Sequence, residues 1–153
     1  MKLALDGAYT DAVITSLVPG ATGGAEVGDA LPFSSRWAVT AKSDYYFNLP
    51  AEIDGNLDAS LRYKSSFSTT FPGDTGTRFY SLSPETFIDL RAGASQENYT
   101  LNFQILNLFD ERKLSSVSED LAVPKATADA LGQPAFLTYT AGRTFGLSLS
   151  AQF

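Results

Sequence analysis

The feature that most constrains this chain is the strict alternation of apolar and polar side chains over residues 144–153. One set of alternate positions is apolar: Phe145, Leu147, Leu149, Ala151 and Phe153. The positions between them are small or polar: Thr144, Gly146, Ser148, Ser150 and Gln152. Successive side chains of a β-strand point to opposite faces. The pattern therefore predicts a strand with one apolar face and one polar face.

Five earlier segments alternate in the same way, although less strictly. They are residues 2–15, 36–49, 57–67, 78–94 and 99–105. Pro84 lies within the fourth of these segments, and because proline has no backbone N–H to donate, we expect a bulge or break there. The chain of 153 residues fits one domain of ordinary size. We therefore predict one all-β, antiparallel domain over residues 1–153, with about six long strands.

The predicted connections between these strands are alternately long and short. The long ones are residues 16–35, 70–77 and 111–138, and the short ones are residues 50–56 and 95–98. Asp54-Gly55, in the first short connection, is a dipeptide typical of tight hairpin turns. In the last long connection, Pro124 and Gly132 lie where a helix of residues 124–132 would begin and end, so we predict a short helix there.

Composition argues against several classes of function. The net charge of −6 provides no basic surplus to neutralise phosphates, so we predict no nucleic-acid partner. The chain contains neither cysteine nor histidine, which removes disulfides, thiol chemistry, histidine-based triads and the usual zinc ligands. We therefore predict that the protein is not an enzyme and has no catalytic residue, cofactor or metal site.

The pattern of apolar residues also limits how the chain meets a membrane. The hydrophobic fraction is 44%, yet no uninterrupted apolar run approaches the length of a membrane helix, roughly 20 residues. Outer-membrane barrels combine strands of about 9–11 residues or more with short turns at one end, long loops at the other and a polar lumen. The sequence therefore predicts a segment of an antiparallel, up-and-down transmembrane β-barrel. The alternative is a small self-standing β-barrel that binds a ligand, either soluble and lipocalin-like or closed by oligomerisation.

Four short stretches carry a family resemblance. They are Gly7-Ala-Tyr-Thr-Asp11, Leu31-Pro-Phe-Ser-Ser-Arg-Trp37, Asn107-Leu-Phe-Asp110 and Gly142-Arg-Thr-Phe145. Together with the terminal Phe153, they make the whole chain resemble the carboxyl-terminal part of a TonB-dependent outer-membrane receptor. The resemblance implies a barrel of about 22 strands, plugged by an amino-terminal domain and energised by TonB. It also implies location in the outer membrane of a Gram-negative bacterium and import of a siderophore, cobalamin or a saccharide.

The chain would supply only about the last six strands of such a barrel. Residues 1–7 have no signal-peptide pattern, and six antiparallel strands leave two unpaired edges that lipid cannot satisfy. We therefore expect a fragment that is inactive alone. Its implied partners are outer-membrane lipid, the remainder of the receptor chain, the barrel assembly machinery, and TonB through the absent plug. The resemblance implies that Phe153 is the signal read by the assembly machinery, although it is equally a lipid-facing aromatic.

Charged side chains occupy the middle of several predicted polar faces, where they would face the lumen. They are Lys42, Asp44, Asp58, Arg62, Lys64, Asp89 and Arg91. Two interpretations apply: contact with substrate or plug, and simple charge pairing across neighbouring strands in a wet interior, which we consider the commoner case. The loops at residues 18–30, 71–77 and 112–137 are candidates for capturing ligand from outside, since loops on a rigid scaffold often bind.

Overall fold

A computed structural model describes residues 1–20, 23–76, 78–118, 127, 130 and 136–152. All ten elements whose bounds these residues define are β-strands. The six long strands are β1 (Lys2–Tyr9), β2 (Trp37–Leu49), β3 (Ile53–Lys64), β6 (Glu85–Gln96), β7 (Tyr99–Leu106) and β10 (Thr144–Ala151). The four short strands are β4 (Phe67–Ser68), β5 (Ser81–Leu82), β8 (Leu114–Ser118) and β9 (Phe136–Tyr139).

The six long strands form one antiparallel sheet in the order β1-β2-β3-β6-β7-β10. Each strand therefore lies beside the long strand that precedes it in the chain, which is an up-and-down arrangement. The prediction of an all-β, antiparallel fold with about six long strands is confirmed. Within the described residues β1 and β10 lie at opposite edges and do not pair with each other, so the sheet is open. Closure into a barrel stays a prediction.

Register aligns the alternation of every strand with that of its neighbours. One row across the sheet contains Leu3, Ser43, Ala59, Leu90, Ile105 and Phe145. The adjacent row, displaced by one residue, contains Lys2, Asp44, Asp58, Arg91, Gln104 and Gly146. Since neighbouring residues of a strand point to opposite faces, the sheet has one apolar face and one polar face.

The apolar face is not covered by any other described part of the chain. Leu57, on a central strand, is 49% exposed, and Leu147, on an edge strand, is 72% exposed. Among the described residues the one buried apolar side chain is Leu82, which is 1% exposed and lies in the short hairpin β4–β5. Sheets of soluble proteins bury an apolar face against a second layer. This sheet instead exposes its apolar face over its full width.

Short connections join the long strands at one end of the sheet, and long loops join them at the other. Residues 50–52 connect β2 to β3, and residues 97–98 connect β6 to β7. The first turn lies within the predicted connection of residues 50–56, but the expectation that Asp54-Gly55 is its tightest point is wrong, because Ala51 and Glu52 adopt the positive φ angles (65° and 56°) and Gly55 lies within β3. Gly55 pairs with Phe47, whose ring covers it so closely that a Cβ there would overlap the ring.

Three long loops lie at the opposite end: the first (residues 10–36), the second (residues 65–84) and the third (residues 107–143). The first predicted strand ends earlier than expected, at Tyr9. The fourth is interrupted before Glu85, as Pro84 predicted, and its first part becomes β5. The third loop contains the pair β8–β9, which the sequence did not predict. The predicted helix at residues 124–132 falls almost wholly outside the described residues.

The first and second loops contact each other directly. The backbone N–H of Phe33 donates to the carbonyl of Ser68 at 2.7 Å, and the Phe33 and Phe67 rings lie 6.3 Å apart. Gly24 lies against the backbone of Gly73 with no room for a side chain. The described residues contain no helix long and apolar enough to cross a membrane.

Candidate functional site

A cavity of about 640 Å³ lies on the polar face of the sheet, over β2, β3 and β6. Six of the seven predicted lumen-facing charges line it: Lys42, Asp44, Asp58, Arg62, Asp89 and Arg91. Register brings them together, because Lys42, Ser60 and Asp89 are cross-strand partners and the row beside them contains Asp44, Asp58 and Arg91. The seventh, Lys64, lies outside the cavity lining at the end of β3, with its ammonium 4.0 Å from the centre of the Phe67 ring.

Three of the cavity side chains are engaged with their own neighbours. A guanidinium nitrogen of Arg62 donates to Asp89 at 3.0 Å, and the Asp89 residue is only 7% exposed. The side-chain amide of Asn56 donates to the Asp58 carboxylate at 2.9 Å. Only the Arg62–Asp89 contact is of the kind that the charge-pairing interpretation describes, with opposite charges on adjacent strands, since Asn56 is neutral and lies on the same strand as Asp58.

The other three cavity side chains have no such engagement. Within the described part of the chain, the side chains of Lys42, Asp44 and Arg91 make no hydrogen bond, ion pair or ring contact. Two cations and one carboxylate therefore face the cavity with unused donors and acceptors. Such a set suits a polar solute that offers several hydrogen-bonding groups. Among the described residues no three acidic, histidine or cysteine side chains lie close enough to hold a metal.

The polar face continues toward β10 as a second, amide-lined depression of about 350 Å³. Asn56, Asn102, Gln104 and Ser148 line it together with Gly146. The glycine makes room for the neighbouring amide, since a Cβ at Gly146 would lie 2.7 Å from the Gln104 side-chain nitrogen. Asp58 and Arg91 line this depression as well, so the sequence-based list of charged residues reached part of it and missed only its neutral amide and hydroxyl side chains.

A second cluster of polar contacts lies where the third loop leaves and rejoins the sheet; we call residues 107–113 and 140–143 the loop base. Asn107 is at its centre, 6% exposed and with a positive φ of 53°. Its side-chain amide donates to the carbonyls of Glu111 at 2.8 Å and Ala141 at 2.9 Å. Its side-chain oxygen accepts the N–H of Glu111 at 3.0 Å. One side chain thus joins both strands of the loop base.

Asp110 forms the second connection across the loop base. Its carboxylate accepts the backbone N–H of Arg143 at 2.7 Å. That hydrogen bond, assisted by the positive charges of Arg112 and Arg143, holds the pKa of Asp110 below its usual value of 3.8. Gly142 permits the approach, because a Cβ there would lie 2.8 Å from the Asp110 carboxylate.

These contacts assign structural roles to residues that the sequence analysis quoted only for their resemblance. Asn107 and Asp110 are the first and last residues of one quoted stretch, and Gly142 and Arg143 open another. The sequence signal was an asparagine at the end of an alternating strand, since asparagine adopts positive φ angles more often than most residue types. Nothing in the sequence pointed to its partners more than 30 residues away.

The apolar face has a depression of its own, about 420 Å³ in volume. Small side chains at Ser43, Ala59 and Ala92 lie between larger ones such as Tyr45 and Phe103. It lies on the opposite face of the same strands as the charged cavity. Phe153, the predicted assembly signal, lies outside the described residues.

Comparisons with protein-family models, with curated proteins and with solved structures found no match. The fold and the site by themselves define an open, antiparallel, up-and-down β-sheet with a charged cavity on its polar face.

Proposed function

We propose that this chain is the carboxyl-terminal barrel segment of a TonB-dependent outer-membrane transporter. The observation that supports the proposal best is the uncovered apolar face of the sheet, which extends from Leu3 and Leu5 on β1 to Leu147 and Leu149 on β10. Leaving a large apolar side chain in water rather than burying it costs roughly 2 kcal/mol. A face of this size is therefore costly in water and is the expected exterior of a membrane barrel.

In this proposal the polar face forms part of the lumen wall and the three long loops lie outside the cell. Ligand capture by the loops would be followed by rearrangement of a plug in the lumen. The cavity side chains without partners, Lys42, Asp44 and Arg91, are the candidates for contact with plug or ligand. Iron chelates, cobalamin and saccharides are the substrate classes that the sequence resemblance implies.

Transport would require the rest of the receptor. β1 and β10 are edge strands in the described sheet, and lipid offers no partner for the N–H and C=O groups of an edge. The remaining strands would cover both edges, and the plug would provide the gate. By itself the chain is expected to be inactive.

One observation favours a second candidate, a barrel closed by several copies of the chain that binds a ligand by itself. β1 and β10 are both eight residues long and run in opposite directions, so β10 of one copy matches β1 of the next as an antiparallel partner. A soluble, lipocalin-like monomer has less support, because it would need the apolar face inside a core.

Solution behaviour tests the membrane assignment. We expect the chain to acquire β-structure by circular dichroism when refolded into detergent micelles, and to aggregate in buffer without detergent. A chain that is monomeric and β-structured in plain buffer would contradict the proposal.

The receptor assignment has a separate test, the genomic sequence upstream of Met1. A reading frame that continues into further strands and a plug supports it, and a frame that ends there favours the self-closing barrel.

A further inference from the structure

A chain of polar contacts leads from the charged cavity to the loop base. It begins at Arg62, whose side chain is 59% exposed and lines the cavity. One of its nitrogens donates to an oxygen of the buried Asp89 at 3.0 Å. The other oxygen of Asp89 accepts the backbone N–H of Asn107 at 2.9 Å. Asn107 then holds Glu111 and Ala141 through its side chain.

Asp89 is the residue on which this path depends. A carboxylate that is 7% exposed requires a partner for its charge and hydrogen bonds for its oxygens. Arg62 supplies the charge and Asn107 supplies the second hydrogen bond. No other side chain hydrogen-bonds to Asp89 within the described residues. Loss of either partner would leave the buried Asp89 carboxylate with only one of these two contacts.

We propose that Asp89 couples the Arg62 side chain in the cavity to the loop base: whether Arg62 is paired with Asp89 determines how stable the loop base is. When Arg62 is paired with Asp89, the carboxylate is fixed and orients the backbone of Asn107. When Arg62 is drawn away, Asp89 loses its countercharge and Asn107 loses a fixed acceptor. The loop base then becomes less stable, although none of its own residues has been changed or bound. This inference rests on the polar contacts alone and is independent of the membrane assignment.

The geometry also distinguishes Arg62 from the other arginine of the cavity. Arg91 lines the same space and lies on the same strand as Asp89, two residues away. Its side chain makes no hydrogen bond or ion pair with any described residue. Arg91 is therefore a matched control: the residue type and the cavity are the same, but Arg91 makes no hydrogen bond or ion pair with Asp89.

The test is amide hydrogen exchange of the refolded chain, resolved residue by residue. In Arg62→Met we expect the amides of Asn107 and Glu111 to exchange about tenfold to a hundredfold faster, as for a lost hydrogen bond to a charged group. The amide of Phe103, within the ladder of β7, should be unchanged and shows that the sheet persists. In Arg91→Met all three amides should exchange as in the wild type.

Unchanged exchange at Asn107 and Glu111 in Arg62→Met would overturn the proposal. So would equal acceleration in Arg62→Met and Arg91→Met, because the effect would then come from lost cavity charge in general. If Phe103 also accelerates in Arg62→Met, the sheet has opened, and the milder pair Arg62→Gln and Arg91→Gln decides. Faster exchange at the loop base in Arg62→Gln alone supports the proposed coupling through Asp89, and equal rates in the two glutamine variants refute it.

Discussion

The buried polar side chains in the described part of this protein each have specific hydrogen-bond partners. Asp89 and Asn107 are the clearest cases, since they are 7% and 6% exposed and bond to each other through a backbone N–H. No buried side-chain nitrogen or oxygen among the described residues is without a hydrogen bond. Because the described residues bury only one apolar side chain, such contacts carry much of the structural specificity. They concentrate where the third loop meets the sheet.

The Asp110–Arg143 contact makes the loop base sensitive to acid. The carboxylate form of Asp110 accepts the Arg143 N–H, so the contact favours the charged form and lowers the pKa. A lowered pKa means that the contribution is fully present above the usual pKa of 3.8 and is lost as the pH falls through the lower value in the folded chain. We expect the amide proton shift of Arg143 to be constant at neutral pH and to move only below about pH 4.

Asp110→Asn is the control for this pH dependence. The asparagine keeps an oxygen that accepts the Arg143 N–H but cannot titrate. The Arg143 amide shift should then be independent of pH over the same acidic range. A wild-type shift that moves between pH 5 and 7 would contradict the assignment, as would a titration that survives in Asp110→Asn.

Single residues also show the limit of local sequence signals. Asp54-Gly55 carries a strong turn signal, yet the chain turns at Ala51 and Glu52 and keeps Gly55 in the strand. The reason is a cross-strand contact, because Gly55 provides the space that the Phe47 ring occupies. Such a requirement depends on a partner in another strand, and a dipeptide pattern does not contain it.

At the scale of elements, periodicity predicted the long strands well and the short ones poorly. The alternation placed all six long strands and assigned Leu57 and Asp58 to opposite faces, because register and face follow from a period of two. β8 was missed because the segment around Leu114-Ser-Ser-Val is short and largely polar, and β9 was missed because four residues are too few to show a clear alternation. The cavity charges lie on one face of the sheet, and that this face lines a lumen stays a prediction. Which of these charges pair with each other depends on side-chain geometry, which periodicity does not contain.

The second loop provides a prediction at this scale. Leu82 is 1% exposed and pairs with Phe67 in the hairpin β4–β5. Leu82→Ala removes buried apolar atoms, a change that typically costs about 2–5 kcal/mol. A short hairpin has little stability in reserve, so we expect it to open. The amide of Thr69, which donates to Tyr80 across the hairpin at 3.0 Å, should exchange much faster.

Leu147→Ala is the matched control for that experiment. It removes the same atoms from a side chain that is 72% exposed and lies on β10, in a different sheet from the hairpin. Thr69 exchange should equal that of the wild type in this variant. If Leu82→Ala leaves the Thr69 amide protected, Leu82 does not stabilise the hairpin β4–β5.

At the scale of the whole molecule, the single buried apolar residue among the described ones lies in a loop, and the large apolar surface lies on the sheet. This distribution is the reverse of a soluble domain, where a sheet buries its apolar face and the loops are solvated. It accounts for the long alternating strands, and for the concentration of polar contacts at the loop end. Contact between the apolar face and lipid is the central claim of the proposed function.

Site-directed labelling measures that contact most directly, because the chain contains no cysteine and each introduced one is unique. Leu101 and Asn102 are adjacent on β7, and their cross-strand partners place them on the apolar and polar faces respectively. A bimane label at Leu101→Cys, in phosphatidylcholine vesicles with brominated acyl chains, should be strongly quenched relative to unbrominated vesicles. The same label at Asn102→Cys should be quenched weakly. Equal quenching at the two positions, or stronger quenching at Asn102→Cys, would contradict the proposal that the apolar face meets lipid.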